Sequence, residues 1–184
     1  SLSAILDRDI QPAGDLVTKL RRVKSKTELD LLRASGEWAA RTHRFLQQAM
    51  RAGESERDIA RLAEAQAVVE LDRAAGAAGH MGAIQIHASF RSGARTAMSH
   101  AAMGSRPLEK GDNLVSYCQG ILSGYTTELE RTMFLGQPSA IQVQMFEVVH
   151  QAQQLALELI RPGVACSQVD RRVRAFLVSE GFAA

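Results

Sequence analysis

The chain has 184 residues, which is the length of one domain. Hydrophobic residues make up 46% of it and charged residues 23%, so it can build a core and is not disordered. Its net charge of +2 comes from scattered Lys and Arg, which argues against a nucleic-acid partner, and its apolar stretches are too short to span a membrane. The first residues show no signal-peptide pattern. Cys118 and Cys166 lie far apart and form no CxxC motif. A reduced, cytoplasmic protein is therefore expected.

Residues 1–24 form a leading segment, which Pro12 and Gly14 interrupt and which is basic from Lys19 to Lys24. Because no aromatic residues are interleaved with these charges, we interpret them as a solvated face and not as a phosphate site. The folded domain is expected to occupy residues 25–184.

Two helices are predicted to follow. Ser25 and Glu28 form a capping box that starts the first helix, which Gly53 ends. The segment Ser55–Asp58 starts the second helix, which runs to a glycine-containing loop at 76–82.

Strand patterns occupy the middle of the chain. Apolar and polar residues alternate over 84–90, and two further runs follow the turn at 106–112. Gly120 to Gly124 is predicted to join these two runs as a hairpin connection. The predicted strands are 84–90, 113–119 and 125–135.

Two more helices complete the pattern. Ser139 and Gln142 form a second capping box, and the helix that they start ends at 161–163. The segment 167–170 is predicted to cap a last helix, which Gly181 ends. Long helices around hairpin-type strands predict an α+β class with a mainly antiparallel sheet.

The last strand carries the densest group of ionisable side chains. Glu128 and Glu130 lie on one face together with Thr126, and two carboxylates at this spacing are roughly 7 Å apart. Such a pair can serve a metal, acid–base chemistry or a cationic substrate. A solvated sheet face of alternating Thr and Glu explains the same pattern, so these readings stay open.

The preceding strand and the segment before it supply the other candidates. Tyr117 and Cys118 lie on opposite faces, and this strand has no Asp or Glu, which makes a dinuclear carboxylate site a poor fit. Cys118 is more simply a small buried residue than a nucleophile. His100 is the candidate for acid–base catalysis because imidazole titrates near neutral pH, although a buried structural histidine is the plain alternative.

Taken together, these motifs resemble the pita-bread superfamily, which holds creatinase, aminopeptidase P, prolidase and methionine aminopeptidase. The similarity covers about residues 20–182 and implies the pita-bread fold, of which this chain would form the first half. The motifs that carry the resemblance are Ser92-Gly93, Ser99-His100-Ala101, Pro107 to Asp112, Gly124-Tyr125, Glu130-Arg131-Thr132 and Arg161-Pro162-Gly163.

Within the superfamily, the sequence is most similar to the metal-free creatinase-like branch. Tyr117 stands where the metallopeptidases carry one metal-binding Asp, and Glu128 stands where they carry the second. Cys118 and the Glu130-Arg-Thr pattern fit the creatinase-like branch. The resemblance implies that His100 transfers the proton and that Glu130 holds a cationic, guanidinium-like group, a pairing that charge-assisted hydrogen bonds favour.

The sequence also departs from creatinase, which has Tyr at the position of Thr126, Asn at that of Tyr117 and a small residue at that of Glu128. Creatine itself is therefore a doubtful substrate, and ectoine is an equally open guess. Glu128, Tyr117, Cys118 and Thr126 are expected to shape the substrate site. In this family a smaller N-terminal domain and a second half complete the fold, and both are expected to lie outside 1–184.

The leading expectation is a metal-independent hydrolase of a C–N bond in a small amidine or guanidino substrate, with no cofactor and no bound metal. The first alternative is a metal-dependent Xaa-Pro aminopeptidase or dipeptidase. The second alternative is a non-catalytic module that binds peptides or proteins. The resemblance also implies a homodimer acting on a small-molecule substrate. Composition and charge predict no membrane or nucleic-acid partner.

Overall fold

The computed structural model describes residues 5–9, 13–75, 84–98 and 100–182. The predicted end of the second helix and the whole of the 76–82 loop lie outside these residues, as does Ser99. The helices are α1 Leu16–Arg22, α2 Lys26–Ala49, α3 Glu56–Ala75, α4 Ala140–Leu159 and α5 Cys166–Ser179. The strands are β1 Ile84–Ser92, β2 Asn113–Leu122 and β3 Tyr125–Phe134, with a short 3-10 helix at Gly93–Ala97 after β1.

The start of α2 is the capping box that the sequence predicts. The Ser25 hydroxyl accepts a hydrogen bond from the Glu28 N–H at 3.3 Å, and the Glu28 carboxylate accepts one from the Ser25 N–H at 2.6 Å. The same carboxylate accepts a hydrogen bond from the Tyr125 hydroxyl at 2.8 Å. The helix cap therefore also ties α2 to the first residue of β3.

The three strands form one antiparallel sheet in the order β1-β2-β3, which confirms the predicted class. Tyr117 in the central strand lies opposite Ser89 on β1 and opposite Glu130 on β3. Directly opposed residues project from the same face of a sheet. This register was open from the sequence, and it brings Tyr117 to the same face as both carboxylates.

The connection between β2 and β3 is shorter than predicted. The strands continue to Leu122 and from Tyr125, so the turn consists of Ser123 and Gly124. Both turn residues have positive φ angles, of 50° and 82°, as a two-residue hairpin turn of type I′ requires. Gly120 therefore belongs to β2 and not to the turn.

Helices α2 and α3 cover one face of the sheet and form the core with it. Gly120 has a specific place here, because a Cβ atom at this position would lie 2.5 Å from the Ser35 carbonyl oxygen of α2. The glycine thus lets α2 approach β2 closely. The core cluster consists of Phe45, Leu46, Ile59, Ala63, Ala67, Ala88, Phe90, Leu108, Leu114 and Cys118.

Helices α4 and α5 pack mainly against each other. The second capping box is present, since the Ser139 hydroxyl accepts from the Gln142 N–H at 3.4 Å. The predicted cap at 167–170 is wrong, because α5 already begins at Cys166 and its N-cap residue Ala165 has no side chain that could accept a hydrogen bond. Among the described helices, none combines the length and the apolar character needed to cross a membrane.

Candidate functional site

The face of the sheet that α2 and α3 leave uncovered forms the floor of a cavity of about 630 Å³. Residues of all three strands line it, and the segment after β1 adds His100 to the lining. The polar residues that line the cavity include His87, Arg91, His100, Tyr117, Glu128 and Glu130. The structure therefore brings four of the predicted site residues together: His100, Glu130, Glu128 and Tyr117.

Two carboxylates and a phenol form one side of the cavity. Glu128 and Glu130 are exposed, and the Tyr117 hydroxyl donates a hydrogen bond to Glu128 Oε1 at 3.1 Å. Burial raises the pKa of Tyr117, and the hydrogen bond to Glu128 raises this pKa further. The phenol is therefore neutral and acts as a donor at neutral pH. Glu130, which lies opposite Tyr117 in the strand pairing, also faces the cavity.

His100 lies in the loop that follows the 3-10 helix, and its side chain is exposed. Its φ angle is +57°, in the left-handed region that residues other than glycine adopt infrequently. The adjacent backbone is held by two arginines: Arg91 Nε donates to the carbonyl oxygen of Ala101, and the Arg95 guanidinium donates to that of Ala102. The loop thus presents the imidazole at the cavity from a fixed backbone.

The β1 side of the cavity was not singled out from the sequence. His87 Nδ1 lies 2.9 Å from Glu64 Oε1 of α3, and the His87 ring centroid lies 6.0 Å from that of Tyr117. Arg91 is half-buried and donates to the Ser89 hydroxyl at 3.1 Å. The alternation of 84–90 was visible in the sequence, but only the strand register shows that His87 and Arg91 share the face of Glu128 and Glu130.

Two residues assigned to substrate binding lie elsewhere. Cys118 has no exposed surface and packs in the core on the opposite face, because neighbouring residues of a strand alternate sides. Burial raises the pKa of its thiol to about 12. Thr126 shares the face of Glu128 but pairs with Ile121 near the hairpin turn, and it does not line the cavity. The expected contact of Cys118 with substrate is corrected accordingly, whereas that of the exposed Thr126 stays a prediction.

The possible metal ligands at this site are limited. Carboxylate oxygens and imidazole nitrogens are suitable ligands for divalent cations, and Glu128, Glu130 and His100 line the same cavity. Among the described residues, however, no three His, Cys, Asp or Glu side chains lie close enough together to hold a metal ion. The described part of the chain therefore does not by itself fit a complete metal site.

Comparison with known proteins places this geometry in a family. The model of metallopeptidase family M24 matches residues 30–184. The probable dipeptidase PepE of Mycobacterium tuberculosis is 32% identical over 93% of this chain and 43% of its own length. Creatinase of a Bacillus species is 29% identical over 90% of this chain and 40% of its own length.

A solved structure gives the same result at the level of the fold. The X-Pro aminopeptidase of Thermotoga maritima superimposes with a TM-score of 0.82 and 27% identity, over 97% of this chain and 48% of that protein. The chain thus spans less than half the length of these relatives. The agreement confirms the predicted pita-bread fold and its assignment as the first half.

One expectation from the sequence is wrong. The resemblance to the creatinase-like branch implied an enzyme with no metal cofactor, but the family whose model matches is a metallopeptidase family. The identity with PepE is also higher than the identity with creatinase. The substitution at Tyr117 therefore does not move the chain out of the peptidase family, because many other positions contribute to the match.

The superfamily resemblance, in contrast, is confirmed by the family match, by the curated relatives and by the fold. The matched region contains the whole sheet, all of α3, α2 from residue 30 onward and every residue of the candidate site. This chain belongs to metallopeptidase family M24.

Proposed function

We propose that the protein containing this chain hydrolyses peptide bonds in dipeptides or other short peptides, with Xaa-Pro peptides as the leading substrate class. The names of its relatives support this proposal: a probable dipeptidase and an X-Pro aminopeptidase. It replaces the guanidino hydrolase that the creatinase-like motifs suggested. As in the sequence-based expectation, we propose a cytoplasmic homodimer.

One observation carries the proposal: Glu128, Glu130 and His100 line one cavity of about 630 Å³. A volume of this size suits a small ligand. The two carboxylates make one side of the cavity negative, so it favours a positively charged group. The free amino terminus of a short peptide is such a group, and a carboxylate binds it by charge-assisted hydrogen bonds.

The roles of the individual side chains follow from their positions. Glu130 is proposed to bind the positive charge, because Glu128 already accepts the hydrogen bond from the neutral Tyr117. Tyr117 is proposed to orient Glu128. His100 is proposed to exchange a proton with the reacting groups, since its imidazole is exposed at the cavity and histidine is the side chain that most often serves in acid–base catalysis.

We further propose that residues 25–184 form the first half of a larger catalytic domain and that 1–24 is a leading segment. The chain matches 43% of PepE and 48% of the X-Pro aminopeptidase, and the described residues offer no complete set of metal ligands. The remaining groups of the site would then come from the other half of the domain.

The test uses the full-length protein, since this chain spans less than half the length of its relatives. Xaa-Pro dipeptides, dipeptides without proline, and creatine are assayed after dialysis against a chelator and after addition of Mn²⁺, Co²⁺ or Zn²⁺, and bound metal is measured. We expect dipeptide hydrolysis that the chelator abolishes and a metal restores. Dipeptide binding without hydrolysis under every metal condition would contradict the proposal and support a peptide-binding module. Hydrolysis of creatine but not of dipeptides would also contradict it.

A further inference from the structure

A buried carboxylate outside the cavity connects to the loop that carries His100. Glu56 is the first residue of α3, and it has no exposed surface. Its Oε1 atom accepts hydrogen bonds from the N–H and from the hydroxyl of Ser92, both at 2.8 Å. Its Oε2 atom accepts a hydrogen bond from the N–H of Gly104 at 2.5 Å. Burying a carboxylate is unfavourable unless its oxygens are satisfied, and here both oxygens have donors.

The two partners of Glu56 lie on either side of His100 in the chain. Ser92 ends β1, and Gly104 follows the turn that contains His100. A single side chain therefore fixes both ends of the segment 92–104. A Cβ atom at Gly104 would lie only 3.4 Å from Glu56 Oε2, so the backbone of the segment lies directly against the carboxylate.

Arg95, within the same segment, reinforces this connection. Its Nε atom lies 3.8 Å from Glu56 Oε1, and its guanidinium also donates to the carbonyl oxygen of Ala102. The Arg95 Nε atom is buried, and its N–H finds no hydrogen-bond acceptor among the described residues. The charge of the Arg95 guanidinium is balanced by the nearby Glu56 carboxylate. Glu56 thus attracts the segment through an ion pair as well as through hydrogen bonds.

The segment needs such an anchor. Among the described residues between β1 and β2, regular structure is limited to the 3-10 helix Gly93–Ala97 within the segment and an isolated bridge at Pro107 beyond it. His100 itself has a positive φ angle, a conformation that persists when the surrounding contacts enforce it.

We propose that Glu56 is a positioning residue for His100: it holds both ends of the segment 92–104 and thereby fixes the imidazole at the cavity. The catalytic part of this inference rests on the proposed function, in which His100 transfers a proton. The structural part, that Glu56 fixes the loop, is independent of the reaction. None of Ser92, Arg95 and Gly104, which Glu56 contacts, lines the cavity, so Glu56 is proposed to act through the loop.

The kinetic test compares two identical substitutions on the same helix in the full-length enzyme. Glu56→Gln removes the charge and places an amide N–H₂ group near the N–H of Gly104 or Ser92. Glu70→Gln is the control, because Glu70 of α3 is partly exposed and forms an ion pair with Arg41, at 3.7 Å. We expect Glu56→Gln to lower kcat between about tenfold and about a hundredfold, the scale of a misplaced catalytic group. KM should change by less than about threefold, because binding groups on the sheet are untouched.

The conservative variant separates positioning from simple retention of charge. Glu56→Asp keeps the charge but its shorter side chain cannot reach Ser92 and Gly104 together, so we expect kcat to stay well below that of the wild type. A wild-type kcat in Glu56→Gln, with the protein folded, would overturn the catalytic part of the proposal.

A second measurement does not depend on substrate. Hydrogen exchange at the Gly104 amide is followed by NMR in wild type, Glu56→Gln and Glu70→Gln. We expect faster exchange only in Glu56→Gln, by on the order of tenfold. This result would support the anchor even if the enzyme hydrolysed no peptide, so the two proposals fail separately. Exchange as slow as in the wild type would overturn the anchor.

If Glu56→Gln does not fold, Ser92→Ala provides the same test with a smaller change. It removes one donor to Glu56 and keeps the backbone N–H. We expect faster exchange at Gly104 and a smaller loss of kcat than in Glu56→Gln. An unchanged exchange rate and an unchanged kcat in Ser92→Ala would overturn the proposal.

Discussion

The two faces of the sheet have opposite properties although the same three strands form them. On the helix side, Leu114 and Cys118 have no exposed surface and pack against α2 and α3. On the cavity side, Glu128 and Glu130 are exposed, and Tyr117 donates to Glu128. The side-chain period of two places core and candidate site one residue apart along each strand.

This contrast shows how the protein combines stability with an open polar site. Tight packing on the helix side fixes the strand register, and the register in turn sets which ionisable groups meet in the cavity. The same contrast makes the consequences of substitution on the two faces distinguishable: changes on the helix side should affect unfolding, and changes on the cavity side should affect turnover.

The largest expected difference concerns the two cysteines. Cys118 is buried with its pKa raised from a usual value of 9.0 to about 12, whereas Cys166 at the start of α5 is exposed. Because the thiolate is the reactive form, we expect Cys118 to react with a thiol reagent about a thousandfold more slowly than the exposed Cys166 at neutral pH. Labelling kinetics followed by peptide mass spectrometry would measure this ratio. Equal rates in the folded protein would contradict the placement of Cys118 in the core.

On the cavity side, His100→Ala in the full-length protein should lower turnover by at least about a hundredfold, the scale of lost acid–base catalysis. The free energy of unfolding should change little, because the imidazole is exposed. Steady-state kinetics and urea denaturation on the same preparation check both parts. His150→Ala, on an exposed position of α4, is the matched control. Turnover that persists in His100→Ala would remove this residue from the mechanism.

On the helix side, Gly120→Ala should lower the free energy of unfolding by about 1 to 3 kcal/mol, because the new Cβ atom would lie 2.5 Å from the Ser35 carbonyl oxygen. Gly36→Ala is the control within α2, since a Cβ atom there meets only Thr127 Oγ1, at 3.9 Å. Alanine in a helix interior should stabilise by up to about 1 kcal/mol relative to glycine. Urea denaturation of both variants measures the two shifts. Equal stability of the two variants would contradict the close approach of α2 to β2.

The smallest effect is a dependence of stability on acid. Burial lowers the pKa of His43 on the helix side, and the nearby Arg131 lowers it further. Below the unfolded-state pKa of about 6.5, the unfolded chain therefore binds a proton that the folded chain does not, so stability falls as the pH falls. His43→Gln can keep the hydrogen bond to Ser116, which is 3.0 Å long in the wild type, and should reduce this loss. The loss of stability is measured as the difference between the urea midpoints at pH 7.5 and 5.5 in the wild type and in His43→Gln, with His150→Gln as the control. A loss as large as in the wild type would exclude His43 as its source.

Much of the local structure could be predicted from short-range patterns. The capping boxes at Ser25 and Ser139 place the starts of α2 and α4, because the hydrogen bonds involved join residues only three apart. The alternation of Glu128 and Glu130 with their neighbours gives the shared face. The superfamily resemblance gives the fold, because several motifs occur together in the expected order.

Other features depended on contacts between distant parts of the chain. Gly120 was predicted in a turn, because glycine marks turns locally, but its neighbour in space is Ser35 of α2. The start of α5 was placed too late, because its N-terminus lacks a side-chain cap. The importance of Glu56 could not be predicted, since its hydrogen-bond partners Ser92 and Gly104 are far along the sequence.

The sequence by itself determined the α+β class, the superfamily and the candidates His100, Glu128 and Glu130. Only the tertiary structure decided which of these candidates meet. The pairing of Tyr117 with Glu130 and the separation of Cys118 from the cavity follow from the strand register. The physical reason is that register is set by the packing of whole strands against α2 and α3, and a shift by one residue would exchange the two faces.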